Sequence, residues 1–140
     1  FNFFTKLILG EFPDYSEILK HDEFSPAVID KKGLVKALKR SSCLLAGQFL
    51  STSFLFKPGI LDISLDNKEV GKLEESLELK DFGGEEVDSK FYSPYLLNGL
   101  QVFKSDNIKF FVKNNSRPIV FKESLDDYSM TYLVMPVSSQ

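Results

Sequence analysis

One pattern occurs twice along this chain and limits its fold more than any other feature. Leu34, Val35 and Leu38 return as Leu96, Leu97 and Leu100, and Phe54–Lys57 is echoed by Phe110–Lys113. The first unit opens with a short strand over 24–29. Asp30 then caps a helix running to about Ala46, which Gly47 ends. A hairpin follows, with Phe54, Leu55 and Phe56 on one arm, Pro58-Gly59 at the turn, and Leu61, Ile63 and Leu65 alternating on the other. A strand over 70–79 completes the unit. After a Gly83-Gly84 turn the order repeats: a strand over 87–91, a helix from Ser93-Pro94 to about Phe103, then strands over 108–113, 118–122 and 128–135. Ser93 is expected as the cap and Pro94 as the first helical residue. Each unit has one apolar helix stripe and one apolar sheet face to bury. Two units covering each other make an α+β domain, two β-α-β-β-β units with both helices packed on antiparallel sheet, without metal or disulfide. Upstream, 1–9 reads as a further strand and 10–19 as a connector.

The totals narrow the class. At 140 residues the chain makes one domain with a sizeable core. Fourteen Phe and no Trp suit pleated, half-buried surfaces. No apolar run approaches the roughly 20 residues of a membrane helix, and the first residues have no export pattern. The start at Phe1, inside a strand-like run, is expected to be a cut within a longer protein. A single cysteine allows no internal disulfide and suits the cytoplasm. The net charge is −3, which gives no bulk attraction to nucleic acid, but its distribution is uneven. Segment 30–46 has five cations against Asp30 alone, a local balance of +4 that leaves −7 for the remainder. At 100° per residue, Leu34, Leu38, Ser41 and Leu45 fall on one stripe and Lys32, Lys36, Lys39 and Arg40 lie opposite. A helix selected only for solubility usually mixes signs, and this face does not. An anionic partner would meet the chain there.

Enzyme chemistry finds no foothold. Asp126-Asp127 sits between strands as a turn pair, beside Ser124 and Ser129. Asp14, Asp62 and Asp66 have no partner pattern, and Gly83-Gly84 lacks the lysine and helix start of a phosphate loop. His21 is the only histidine and lies in a polar loop, out of register with Cys43. No catalytic, cofactor or metal residues are expected.

Two proline-bounded apolar segments bear a closer resemblance. Thr131-Tyr132-Leu133-Val134-Met135-Pro136 ends the last strand, and Gly10-Glu11-Phe12-Pro13-Asp14-Tyr15 lies in the connector. Together they resemble the bacterial DNA polymerase III β subunit, the sliding clamp. The chain is similar to that protein's last third: 1–19 as the closing strand of the middle domain (Phe3 to Ile8) with its connector, and 20–140 as the third domain. The resemblance implies a non-catalytic processivity factor, a homodimeric ring around duplex DNA, with helices lining the hole and touching phosphates without reading bases. Its DNA-facing cations would be Lys32, Lys36, Lys39 and Arg40. Its other implied partners are the polymerase subunit, the clamp loader, repair polymerases and further docking-motif proteins, with no membrane. The peptide pocket would take Pro13 and Ile18 from the connector, and Leu133, Val134, Met135, Pro136 and Val137 from the last strand. Ser116 and Pro118 would come from the preceding hairpin, with Tyr92 and Tyr95 from the start of the second helix. Cys43 and Leu44 would be apolar contacts between subunits, with Glu69, Glu74, Glu75 and Glu78 on the matching edge; the same carboxylates would also protect an unpaired edge strand.

The chain departs from the family pattern in two places. Val137-Ser138-Ser139-Gln140 replaces a tail that often carries a basic residue and Leu, and Glu17 stands where a basic residue is common. Both make the pocket rim less cationic. The resemblance leaves part of the pocket upstream of this chain, so docking peptides would bind this piece weakly. Two other readings remain: a stand-alone β-rich nucleic-acid-binding domain, which needs exposed aromatics beside its cations, and a peptide-binding adaptor without a DNA role.

Overall fold

The computed structural model describes residues 2–6, 9–12, 14–20 and 22–137. One helical turn, α1 (Ser16–Leu19), precedes β1 (Ser25–Asp30), α2 (Lys31–Leu44), β2 (Thr52–Lys57), β3 (Ile60–Asn67) and β4 (Gly71–Lys80). The second unit is β5 (Val87–Phe91), α3 (Ser93–Leu100), β6 (Asn107–Val112), β7 (Ile119–Leu125) and β8 (Tyr128–Val134). This is the doubled α+β order expected from the repeat. Asp30 caps α2 by accepting from the Gly33 N–H at 2.6 Å. Beyond the helix, Ala46 and Gly47 both adopt positive φ (48° and 78°), which turns the chain back toward β2.

All eight strands form one antiparallel sheet in the order β5-β2-β3-β4-β1-β6-β7-β8. The lead strands are exchanged between the units. β1 pairs along its whole length with β6, and β5 pairs with β2. The ladders fix a residue-by-residue correspondence. Phe54 lies opposite Ile63 and Ser89, and its counterpart Phe110 opposite Phe121 and Ala27. Ile63 in turn faces Glu75, and Phe121 faces Tyr132. Glu75 thus corresponds to Tyr132, Leu79 to Pro136, Lys80 to Val137 and Val28 to Lys90.

The core lies between the sheet and the paired helices. Leu34, Ala37 and Leu38 of α2 and Leu96 and Leu100 of α3 meet Phe54, Phe56, Phe91, Phe110 and Phe121 there, all nearly or fully buried. Hydrophobic burial at 25 cal/mol per Å2 makes such a cluster the main stabilising term. Where α2, α3 and β2 cross, the buried hydroxyls of Ser41, Thr52 and Ser93 form a closed triangle of 2.6–2.8 Å hydrogen bonds. That use of Ser93 corrects one expectation. The cap of α3 is Tyr92, without a side-chain bond, and the Ser93 hydroxyl points inward, while Pro94 is the second helical residue rather than the first.

Two other expectations shift. The strand expected over 1–9 forms no ladder among the described residues: Phe3, Phe4 and Leu9 are 80–90% exposed, and Phe1, Leu7 and Ile8 lie outside the described residues. A strand exists only where a neighbour takes its backbone hydrogen bonds. The second helix stops at Leu100 rather than near Phe103. The loop beyond it is claimed by the β7 carboxylate of Glu123, which accepts from the N–H groups of Lys104 and Ser105 at 2.7–3.2 Å. Among the described residues no helix is long and apolar enough to cross a membrane.

Candidate docking surface, basic helix and open edge

β8 sorts its side chains by strand alternation. Met130, Tyr132 and Val134 turn toward the core, so Leu133 and Met135 face outward. β5 does the same, burying Val87, Ser89 and Phe91 and projecting Asp88 and Lys90. Past the end of β8, the Val137 N–H donates to the Lys90 carbonyl at 2.7 Å and draws the tail against β5. A notch of about 540 Å3 opens at that seam, lined by Asp88, Lys90, Asn115, Ser116, Met135, Pro136 and Val137. Its third wall is the β6–β7 turn, held rigid because the Asn114 Oδ1 accepts from the N–H groups of Ser116 and Arg117.

The gap on the side of the β6–β7 turn has a physical reason. In the first unit β4 meets β1 at Val28–Lys80 and Ile29–Leu79, and on its other edge the Leu79 N–H donates to the Gly59 carbonyl of the β2–β3 turn. The counterpart of Leu79 is Pro136, which has no N–H to donate. Without it the β7–β8 ladder stops at Ile119–Val134, and the tail, still bonded to β5 through Val137, leaves a gap against the β6–β7 turn edged by Met135, a deformable side chain that is 55% exposed.

The structure brings together Ser116, Met135, Pro136 and Val137 of the expected pocket. Pro118 is buried at the foot of β7, and Leu133 is half-buried on the outer face. Val134 is a correction: at 6% exposure it belongs to the core, because strand alternation turns it away from its two neighbours. Ile18 lies on α1, 46% exposed, and does not line the notch. Pro13 falls outside the described residues. Tyr92 and Tyr95 meet edge to face at the start of α3, with ring centres 4.9 Å apart. The Tyr132 hydroxyl donates to the Tyr95 carbonyl at 2.7 Å and ties that helix to β8. Sequence reasoning missed Phe49, which stacks on Tyr92 at 4.4 Å and is 62% exposed. It also missed Asp88, Lys90 and Asn115. Strand alternation in β5 was the available signal for the charged pair; Phe49 had none, since it enters from the loop after α2.

Helix α2 shows its cations on the exposed face, as the wheel predicts. Lys32, Lys36 and Lys39 have no ion-pair partner among the described residues. Lys31 turns inward and donates to the Phe103 carbonyl. Arg40 is engaged within the chain: its Nε and one terminal nitrogen bond the two carboxylate oxygens of Glu75. At the far end of α2, exposed Cys43 and half-buried Leu44 adjoin the turn into β4. The Asn67 amide donates to the Leu44 carbonyl at 2.7 Å, and Gln48 donates to Glu69 at 3.1 Å. β4 pairs with β1 only at Leu79 and Lys80, so its 71–78 stretch has an open edge among the described strands. Glu74 and Glu78 project from its outer face, whereas Glu75 is on the helix side. Among the described residues no group of His, Cys, Asp and Glu is arranged to hold a metal ion.

A family model for the DNA polymerase III beta subunit, C-terminal domain, matches residues 17–138. The chain belongs to that family. Among its relatives, a beta sliding clamp from Pseudomonas aeruginosa is 29% identical over 138 residues, which span 98% of this chain and 37% of the relative. One from Bacillus subtilis is 26% identical over 137 residues, 96% of this chain and 36% of its own length. The solved DNA polymerase III subunit beta of Pseudomonas aeruginosa superposes with a TM-score of 0.84 at 27% identity, covering 96% of this chain and 36% of that one. The C. crescentus clamp solved with PEG bound to its putative beta-motif tethering region superposes equally well (TM-score 0.84, 25% identity, 96% and 35% covered). The chain therefore spans little more than a third of the relatives it matches. Within this clamp domain, the cation-bearing helix α2 and the open edge of β4 are bridged by Arg40 and Glu75, and the notch lies between the tail, β5 and the β6–β7 turn.

Proposed function

We propose that this clamp domain is the last third of a ring subunit that encircles duplex DNA and docks partner peptides in the Met135–Pro136 notch. The observation that carries the reading is the notch: a gap whose one wall is the apolar run Met135–Val137, faced by Asp88, Lys90, Asn115 and Ser116, with a movable methionine at its lip. A short peptide with apolar or aromatic anchors suits such a site, since a few buried anchors supply most of the binding energy. The aromatic group of Phe49, Tyr92 and Tyr95 extends the surface. Polymerase subunit, clamp loader and other docking-motif proteins are the proposed partners, and Pro13, Ile18 and Leu133 the proposed further contacts. Lys32, Lys36 and Lys39 face the duplex and attract phosphates by counterion release, without reading sequence. The open β4 edge, with Cys43, Leu44, Glu69, Glu74 and Glu78, meets a second subunit head to tail. The domain is non-catalytic and works in the cytoplasm.

The test is peptide binding by a ring subunit made of this chain and the domains that precede it. Met135→Ala is expected to weaken a docking peptide about tenfold, the loss of one anchor contact of roughly 1.4 kcal/mol. Undiminished binding sinks the pocket assignment. Neutralising Lys32, Lys36 and Lys39 together should impair sliding; unchanged loading and sliding would support the adaptor reading. Exposed Phe49 and Tyr95 are what a single-strand-binding surface would need. Salt-dependent capture of a short single strand, quenching tyrosine fluorescence and lost in Phe49→Ala, would favour that reading.

A further inference from the structure

In the second unit a strut joins the helix to the last strand. The Tyr132 ring lies where a side chain at Gly99 would have to go, with ring atoms 2.0–2.4 Å from an added Cβ, and its hydroxyl holds the Tyr95 carbonyl. The counterpart of Tyr132 in the first unit is Glu75, on the same helix-facing side of its strand. Glu75 also reaches its helix, through the two-pronged bond from Arg40. The Arg40 side chain is 53% exposed, but that of Glu75 only 18%, so the carboxylate end is largely covered. A planar guanidinium matches a carboxylate at two points and fixes an orientation that a lysine ammonium does not. The neighbouring Lys32, Lys36 and Lys39 have no such engagement among the described residues.

We propose that Arg40 is a positioning residue for the β4 edge rather than a phosphate contact. It holds the open 71–78 stretch against α2, and so links the subunit contact to the DNA-facing helix. The inference rests on the proposed roles of that edge and that helix. The resemblance counts Arg40 among the cations facing DNA, and the pairing with Glu75 assigns it differently.

Arg40→Lys separates the two roles, because lysine keeps the charge and loses the fork. In the ring subunit, Arg40→Lys and Arg40→Gln should each raise the dimer dissociation constant about fivefold, within the range known for well-formed ion pairs. Both should leave the slope of log K for DNA against log salt unchanged, whereas Lys36→Gln lowers it by about 0.9. Dimerisation of Arg40→Lys at the parent affinity, or a slope lowered by Arg40→Gln as much as by Lys36→Gln, overturns the proposal. If Lys36→Gln leaves the slope unchanged, the DNA-facing reading of the helix fails, and the strut is judged on dimerisation. If the parent does not dimerise, the edge reading fails instead. Thermal unfolding of this chain as Arg40→Gln, Glu75→Gln and the double variant then decides: non-additive losses support the strut, and additive ones overturn it.

Discussion

The two halves of the sheet share one topology and part company at the same three places. Where the first ends in a closed ladder at Leu79, the second has Pro136 and an open notch. A carboxylate, Glu75, braces the first helix; a tyrosine, Tyr132, braces the second. Position 65 in the first half is a buried leucine, and its counterpart in the second is Glu123, also buried. The helices differ as sharply, since α2 carries a lysine face and α3 has no charged residue. One backbone plan carries two different surfaces, with cations on one helix and a notch beside the last strand of the other half. The shared frame is what the core leucines and phenylalanines specify. The differences fall on an exposed helix face, at a strand end and at single inward positions that each have their own bonding partner.

The largest effect is expected where the halves differ by one methyl group. Ala37 of α2 corresponds to Gly99 of α3, and only the second has a tyrosine ring in the way. Gly99→Ala should cost about 3 kcal/mol by overpacking and weaken docking as Tyr95 shifts; chemical denaturation reads the first, peptide titration the second. Unchanged stability would mean the Tyr132 strut yields freely.

Glu123 comes next. Burial pushes its carboxyl up, but hydrogen bonds from Ser105, Lys104 and Tyr128 outweigh burial and bring it from 4.5 to about 2. A carboxyl depressed on folding stabilises the fold above its ordinary value, and that share drains away as the pH falls toward about 2. Glu123→Gln should lose about 2 kcal/mol at neutral pH and flatten the acid limb of the stability curve; Leu65→Val in the other half should leave that limb alone. Equal acid limbs in parent and Glu123→Gln would remove Glu123 from the account.

Ser93→Ala opens the hydroxyl triangle but leaves Ser41 and Thr52 bonded to each other, so a loss of about 1 kcal/mol is expected from thermal unfolding. The smallest change in stability, within about 0.5 kcal/mol, is expected for Pro136→Leu, which restores the residue and N–H of Leu79 on the edge facing the β6–β7 turn. Its readout is function: the notch should narrow and peptide affinity fall. Affinity at the parent level would show that the proline is not what keeps the seam open.

Much of this was legible in the chain itself. The leucine repeat and the Pro-Gly hairpin gave the element order, because period and turn chemistry are local properties. The Asp30 cap and the lysine face of α2 are equally local. The exchange of β1 and β5 was not legible, since strand partners are set by packing over long separations. For the same reason Ser93 was mistaken for a cap: only its distance to Ser41 and Thr52 shows where its hydroxyl goes. Met135, Pro136, Val137 and Ser116 were found through the resemblance and meet in space. Asp88 and Lys90 join them from β5, whose alternation turns them outward, Phe49 reaches Tyr92 by tertiary contact alone, and Val134 was misplaced because the pocket was carried over as a run of residues without regard to strand alternation.

The traded lead strands carry a consequence for how the polypeptide acquires its shape. Severing it in the Asp81–Glu86 loop would part β1 from β6, its full-length partner, and β5 from β2, so neither piece should fold unaided, while the two mixed should recover one another. During synthesis, too, β1 must wait for β6, nearly eighty residues later, before its second edge is satisfied. The domain is in that sense indivisible, although its sequence reads as two copies.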